Sequence, residues 1–193
     1  MAARSSYHQS QGQIAQDKEW IEAAKSDPAR FEPLYNKYHE AIFRFVYQRL
    51  NDQEQAFDVT SQVFLKALTN LHRYEFRGLP FSSWLFRIAI SEVNKLFKQN
   101  KAKRTVNIDS LQLKGLLEEM ESDENEDRLR LMIDAIAGLK PEELTLVEMR
   151  FFEQRPFKEI ADILQLSESN AKVRLYRILE RLRKRITAKL NRA

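Results

Sequence analysis

From Trp20 to Leu190 apolar residues recur every three or four positions, and only 4 Gly and 5 Pro interrupt the 193-residue chain. An α-helix gathers positions i, i+3, i+4 and i+7 onto one face, whereas a half-buried strand needs strict alternation. This spacing therefore confines the chain to helices that each bury one side. The predicted fold class is all-α, and breaks in the spacing set the helix ends. Pro28 and Pro33 precede a stripe of Phe31, Leu34, Tyr35, Tyr38, Ile42, Phe45 and Val46 that runs to about Leu50. Asn51-Asp52 then turns the chain into a helix over about 52–71. The Gly and Pro of 73–80 predict a loop, after which 82–100 is helical again.

Beyond Lys101 the pattern weakens. Glu118, Glu119, Glu121, Asp123, Glu124, Glu126 and Asp127 form a like-charge block without an aromatic residue, which predicts a solvated, flexible linker. Periodicity returns at Leu129, Ile133 and Ile136. Gly138 stops that helix, Pro141 starts the next, and helices are predicted over about 141–152, 157–164 and 167–190. The predicted organisation is a disordered polar tail at 1–16, a small helical domain at 17–104, an acidic linker at 105–127 and a second small helical domain at 128–193.

An apolar fraction of 43% is ordinary for a globular protein. Without cysteine the chain has neither a disulfide framework nor a Cys-based metal site, which suits a reducing cytoplasm. His8, His39 and His72 lack the i, i+4 spacing of a zinc helix, and no metal or cofactor is expected. The N-terminus carries no apolar leader core, and no stretch approaches the roughly 18 consecutive apolar residues of a membrane helix. A cytoplasmic protein without membrane insertion is predicted. The net charge of +4 is modest but unevenly placed. Lys172, Arg174, Arg177, Arg181, Arg183, Lys184, Arg185, Lys189 and Arg192 are opposed in their stretch only by Glu180, and such a run attracts polyanions.

In 157–164, Phe157, Ile160, Ala161 and Leu164 share one helical face, with small Ala161 permitting a close helix crossing. Gln165-Leu166 breaks the run, Ser167 is suited to cap the last helix, and Glu168 complements its positive end. Along that helix Ala171, Leu175, Ile178, Leu179, Leu182, Ile186 and Leu190 form a buried stripe. Ser169, Asn170, Lys172, Val173, Arg174 and Arg177 are then turned outward near the N-terminal end, where a recognition helix meets base edges. A helical hairpin with a solvated basic face is the plainer alternative, but cap, periodicity and cation run together favour DNA binding. In a standard turn of this kind Gln165 replaces the usual Gly and takes a left-handed conformation, at a cost of about 1 kcal/mol.

On 52–71, Ala56, Val59, Val63, Ala67 and Leu71 mark the core side, with Phe64 and Leu68 beside them. Asp58, Ser61, Gln62, Leu65 and Thr69 form the opposite stripe. A mixed polar and apolar exposed stripe suits a protein partner, and an amphipathic helix with one stray Leu accounts for it equally well. In the loop and the helix after it, Tyr74, Phe76 and Phe81 accompany Arg77, Arg87, Lys95 and Lys98, with Lys101, Lys103 and Arg104 beyond. Aromatic rings beside cations can hold unstacked bases against a phosphate backbone. The plainer alternative is that Phe76, Phe81 and Trp84 simply seal the core, and Trp84 is assigned to it.

The stretches 31–38, 57–68 and 81–89 resemble the sigma-two domain of extracytoplasmic-function RNA polymerase sigma factors. Leu139-Lys140-Pro141, Glu159-Ile160-Ala161 and Lys172-Val173-Arg174-Leu175 resemble their sigma-four domain. The resemblance implies a promoter-recognition factor that catalyses no reaction itself. It implies that Asp58, Ser61, Gln62, Leu65 and Thr69 meet the β′ clamp helices of core RNA polymerase. Tyr74, Phe76, Arg77, Phe81, Arg87, Lys95 and Lys98 would melt the −10 element and hold a flipped base. Ser169, Asn170, Lys172, Val173, Arg174 and Arg177 would read the −35 element. A contact with the polymerase β flap, a linker threading toward the active cleft and RNA exit path, and an inhibitory anti-sigma partner are implied as well. The sequence departs from the family where Ile90-Ser91 replaces the usual Arg-Asn, where Lys95 stands for a common Asp, and where Ala171 stands for a β-branched residue.

The competing reading is a helix-turn-helix transcriptional regulator with an N-terminal sensing or dimerisation domain. It accounts for the second half alone, and it requires a pocket or dimer seam in the first. An enzyme is more remote, because no acidic pair has acid/base or metal-ligand spacing in an apolar setting.

Overall fold

A computed structural model of the chain describes residues 9–100, 115–118 and 126–190. The chain divides into two compact units, Met1–Asn107 and Ile108–Ala193, and every regular element among the described residues is helical. None of these helices is long and apolar enough to cross a membrane.

The first unit contains α1 (Gln11–Ser26), a 3-10 turn (Pro28–Phe31), α2 (Glu32–Leu50), α3 (Gln53–Thr69), a second 3-10 turn (Leu71–Arg73) and α4 (Phe81–Asn100). Helices α2, α3 and α4 pack against one another, and α1 lies on α2 and the two short turns. Ile42, Val46, Val63, Leu85 and Phe86 have no exposed surface, and the small residues Ala56, Ala67 and Ala89 between them bring the helices close. Each large apolar side chain so buried contributes about 1.5–3 kcal/mol. Phe45 and Phe86 meet edge to face with ring centroids 5.1 Å apart. Asn51, left-handed at φ 51°, ends α2. Asp52 caps α3 by accepting the Gln55 N–H at 3.0 Å. That backbone bond, with a second from the Gln55 side chain, holds the Asp52 carboxyl below its ordinary value.

The predicted tail is corrected over 11–16, where α1 has already begun. Ser10 Oγ accepts the Gln13 N–H at 3.3 Å while Gln13 Oε1 accepts the Ser10 N–H at 2.8 Å, a reciprocal capping box that starts a helix in polar sequence. The helix holds because Ile14, Ile21 and Ala24 bury one face. Residues 1–8 lie outside the described residues.

The second unit contains α5 (Glu126–Ala137), α6 (Pro141–Val147), a π-helical turn (Glu148–Phe152), α7 (Phe157–Leu164) and α8 (Glu168–Leu190), with α8 packed against α5, α6 and α7. The stripe predicted for α8 is buried from Ala171 to Ile186, while Leu190 is half-buried at the helix end. Ile133 is corrected, being 42% exposed; α5 instead buries Met132, Ala135 and Ile136. Those three positions fall on one face, and each helical residue turns about 100°, which carries Ile133 off that face. The predicted linker is corrected at 115–118, which is helical, with Leu116 and Leu117 fully buried. Residues 105–114 and 119–125 of that linker lie outside the described residues.

At the start of α6 the Lys140 N–H donates to the Glu143 carboxylate at 3.1 Å, and Arg181 of α8 reaches the same carboxylate at 2.7 Å. Burial raises the Glu143 carboxyl, but Arg181 and the Lys140 N–H together outweigh it and leave the group below its ordinary value.

Candidate nucleic-acid and protein interfaces

Helix α7 ends at Gln165, which is left-handed at φ 55°, ψ 44°. The Leu166 N–H then donates back to the Ala161 carbonyl at 2.8 Å, closing the turn. Ser167 Oγ accepts the Asn170 N–H at 3.2 Å and starts α8. Ala161 and Ala171 are buried, the two helices pack against one another across this turn, and the geometry is that of a helix-turn-helix. Ser169, Asn170, Lys172, Val173, Arg174 and Arg177 are all exposed, as the sequence predicts. Asn170 Oδ1 accepts Arg174 Nε at 3.0 Å, which orients the guanidinium along the helix. Lys172 pairs with Glu168 at 2.7 Å and lies over the Phe157 ring at 5.6 Å.

The cation run is less uniform than the sequence suggests. Arg181 is taken by Glu143, Lys184 pairs with Glu180 at 2.7 Å, and Lys189 lies 3.5 Å from Asp134 of α5. Among the described residues no carboxylate lies within ion-pair distance of Arg174 or Arg177. Arg174 and Arg177, unlike Lys172, thus carry a positive charge that no carboxylate of the described residues offsets.

In the first unit α3 turns Asp58, Ser61, Gln62, Leu65 and Thr69 to solvent on one face, with Leu65 53% exposed. Beside that stripe Lys66 meets Glu92 of α4 at 2.6 Å. Sequence reasoning missed an aromatic ladder beside the stripe. Tyr35, His39, Phe43 and Tyr47 follow one another at four-residue intervals on α2, and Phe43 lies 4.4 Å from Phe57, which is 46% exposed on α3. The i, i+4 spacing of four rings was the available signal.

The loop between the second 3-10 turn and α4 places its residues unevenly. Arg77 is exposed, Tyr74, Phe76 and Arg87 are half-buried, and Lys95 and Lys98 are exposed further along α4. Gly78 takes φ 68°, a left-handed conformation that explains a glycine at the loop apex. Lys95 and Lys98 join Ser91, Asn94 and Gln99 around an open groove of ≈ 550 Å³. Phe81 is corrected: it is fully buried, against Phe31, Tyr38, Tyr74 and Trp84, and presents no surface to a base. It serves as the floor on which Tyr74 rests, and Trp84, half-buried, lies 4.8 Å from Tyr74.

These features define a class: an all-helical protein of two units, the second built around a helix-turn-helix with cations at its outward face. Comparison with known proteins carries the identification further. The family described as Sigma-70 region 2 matches residues 34–103, and that described as Sigma-70, region 4 matches residues 129–182. The chain is 28% identical over 167 residues to the ECF RNA polymerase sigma factor BldN of Streptomyces coelicolor, covering 85% of this chain and 63% of that protein. It is 27% identical over 190 residues to the RNA polymerase sigma-H factor of Pseudomonas aeruginosa, covering 92% and 97%. Among solved structures, CnrH in complex with the cytosolic domain of CnrY aligns with a TM-score of 0.59 at 18% identity, covering 91% of this chain and 97% of that one, a likeness of fold. The chain belongs to the sigma-70 family, in its extracytoplasmic-function group. The region 2 match across the first unit decides against a sensing or dimerisation domain there.

Proposed function

We propose that this initiation factor divides its work between the two units. The α3 stripe Asp58, Ser61, Gln62, Leu65 and Thr69 docks on the β′ clamp helices of core RNA polymerase. The loop residues Tyr74, Phe76 and Arg77, with Arg87, Lys95 and Lys98 on α4, open the −10 element and hold a displaced base. The α8 residues Ser169, Asn170, Lys172, Val173, Arg174 and Arg177 read the −35 element. The chain between the units runs toward the active cleft, and the β flap receives the second unit. The factor acts in the cytoplasm and catalyses no reaction itself.

The observation that supports this reading most strongly is the exposure of all five α3 residues and all six α8 residues on helices whose opposite faces are buried. The test is transcription by core polymerase on a genomic promoter library, with and without the chain. Start sites that appear only with the chain are expected. An unchanged set of start sites overturns the reading.

An anti-sigma protein is the proposed regulator. Leu65 stays accessible in the free chain, so a partner that covers it excludes polymerase by mass action. The free pool isolated from uninduced cells is expected to carry a stoichiometric partner and no polymerase. A free pool that binds polymerase without induction removes this part of the proposal.

A further inference from the structure

Helix α1 lies before residue 34, where the region 2 match begins, yet it holds a fully buried carboxylate among Ile14, Ile21 and Ala24. A carboxylate survives burial only when it is paired and hydrogen-bonded. The partners of Asp17 come from two other elements. Lys37 Nζ of α2 lies 2.6 Å from Oδ1, and the Tyr38 hydroxyl of α2 and the Phe81 backbone N–H, the latter at 3.0 Å, both donate to Oδ2. Phe81 opens α4, and its N–H is one of the donors that a helix start leaves without an intrahelical acceptor. Asp17 thus caps α4 from a different helix, and its charge complements the positive helix end.

That cap stands directly under the loop 74–80. The Phe81 ring carries Tyr74 at 5.4 Å and Trp84 at 5.5 Å, and Lys18, the next residue of α1, lies over the Phe76 ring at 5.8 Å. We propose that Asp17 is a positioning residue for promoter opening, fixing from α1 the start of α4 and the stance of the loop that captures a base. This rests on the −10 role given to that loop above. Asp17, being buried, touches no DNA; it acts through Phe81 and Tyr74.

The experiment compares the full-length Asp17→Asn variant with the unaltered chain in three measurements. These are core polymerase affinity, amide hydrogen exchange over 74–84 in the free chain, and the rate of promoter opening read by a fluorescent base analogue in the −10 element. Unchanged polymerase affinity, faster exchange over 74–84 and opening slowed about tenfold are expected. Unchanged exchange or unchanged opening overturns the proposal, and so does a parallel loss of polymerase affinity and opening, which marks a general loss of structure. If the unaltered chain opens no promoter, the −10 role itself fails and the proposal falls with it, whereas the exchange data still report whether Asp17 braces the loop. Should Asp17→Asn fail to fold, Tyr38→Phe removes one donor and keeps the ring packing. Opening slowed about threefold is then expected, and parity with the unaltered chain overturns the proposal.

Discussion

Helices α3 and α8 each turn a polar stripe outward with one half-exposed aliphatic residue in it, Leu65 at 53% and Val173 at 48%. They differ in what surrounds that residue. Leu65 sits among Asp58, Ser61, Gln62 and Thr69, without a cation on the stripe, whereas Val173 sits among Ser169, Asn170, Lys172, Arg174 and Arg177. Exposure alone therefore does not say what a helix binds. The duplex carries one negative charge per about 1.7 Å, and under the proposed function the cationic stripe meets its phosphates and base edges. The uncharged and acidic one lacks a cation to draw phosphate, and under the proposed function its apolar member meets a protein surface.

The comparison breaks most readily at Leu65. Leu65→Arg places a charge where the docked complex would bury it, and the loss of core polymerase affinity should reach about a hundredfold or more. Helix content should stay unchanged, because the side chain is already half in water. Retained polymerase binding in a pull-down would show that the α3 stripe is merely solvated. On α8, Arg174→Ala and Arg177→Ala should each weaken −35 binding by about 1–3 kcal/mol if the contact is a bidentate base pair. They should mainly reduce the salt slope if it is a phosphate contact. Unaltered affinity across several salt concentrations in both variants would show that this face of α8 does not dock on DNA.

The smallest effect concerns a cation of α8 that is not available to DNA. Arg181 is committed to Glu143, whose carboxyl is held below its ordinary value of 4.5. A lowered folded value means that the contribution is fully present above 4.5 and is lost as pH falls through the folded value. Because Arg181 is half exposed, that contribution is about 1 kcal/mol or less. Glu143→Gln should flatten the acid-side loss of hydrogen-exchange protection in α6 and α8, and an unchanged acid limb would deny the pair any part in stability.

Where the signal is periodic, the sequence is a good guide to this molecule. The buried stripe of α8 and the outward faces of α3 and α8 follow from residue spacing, because a helix that buries one face must expose the other. The misreadings occur where another element overrides the local pattern. Phe81 beside Arg77 reads as a base-binding ring, but it is claimed by a pocket built from Phe31 and Tyr38, which lie far away in sequence. Residues 11–16 read as a tail because composition weighs polarity and not the reciprocal bonds of Ser10 and Gln13. Ile133 reads as core because a helical stripe fixes spacing but not which of two adjacent faces meets the neighbour.

Helix α7 is bracketed by two left-handed glutamines, Gln154 at φ 49° and Gln165 at φ 55°. Each pays about 1 kcal/mol for a backbone conformation that glycine adopts freely. Under selection for heat tolerance, Gln165→Gly is therefore an open stabilising step that leaves every outward residue of α8 untouched. Val or Ile at either position is closed, since a β-branched side chain is least compatible with that backbone. The turn that follows this short helix is where the chain has room to gain stability without altering the outward face of α8.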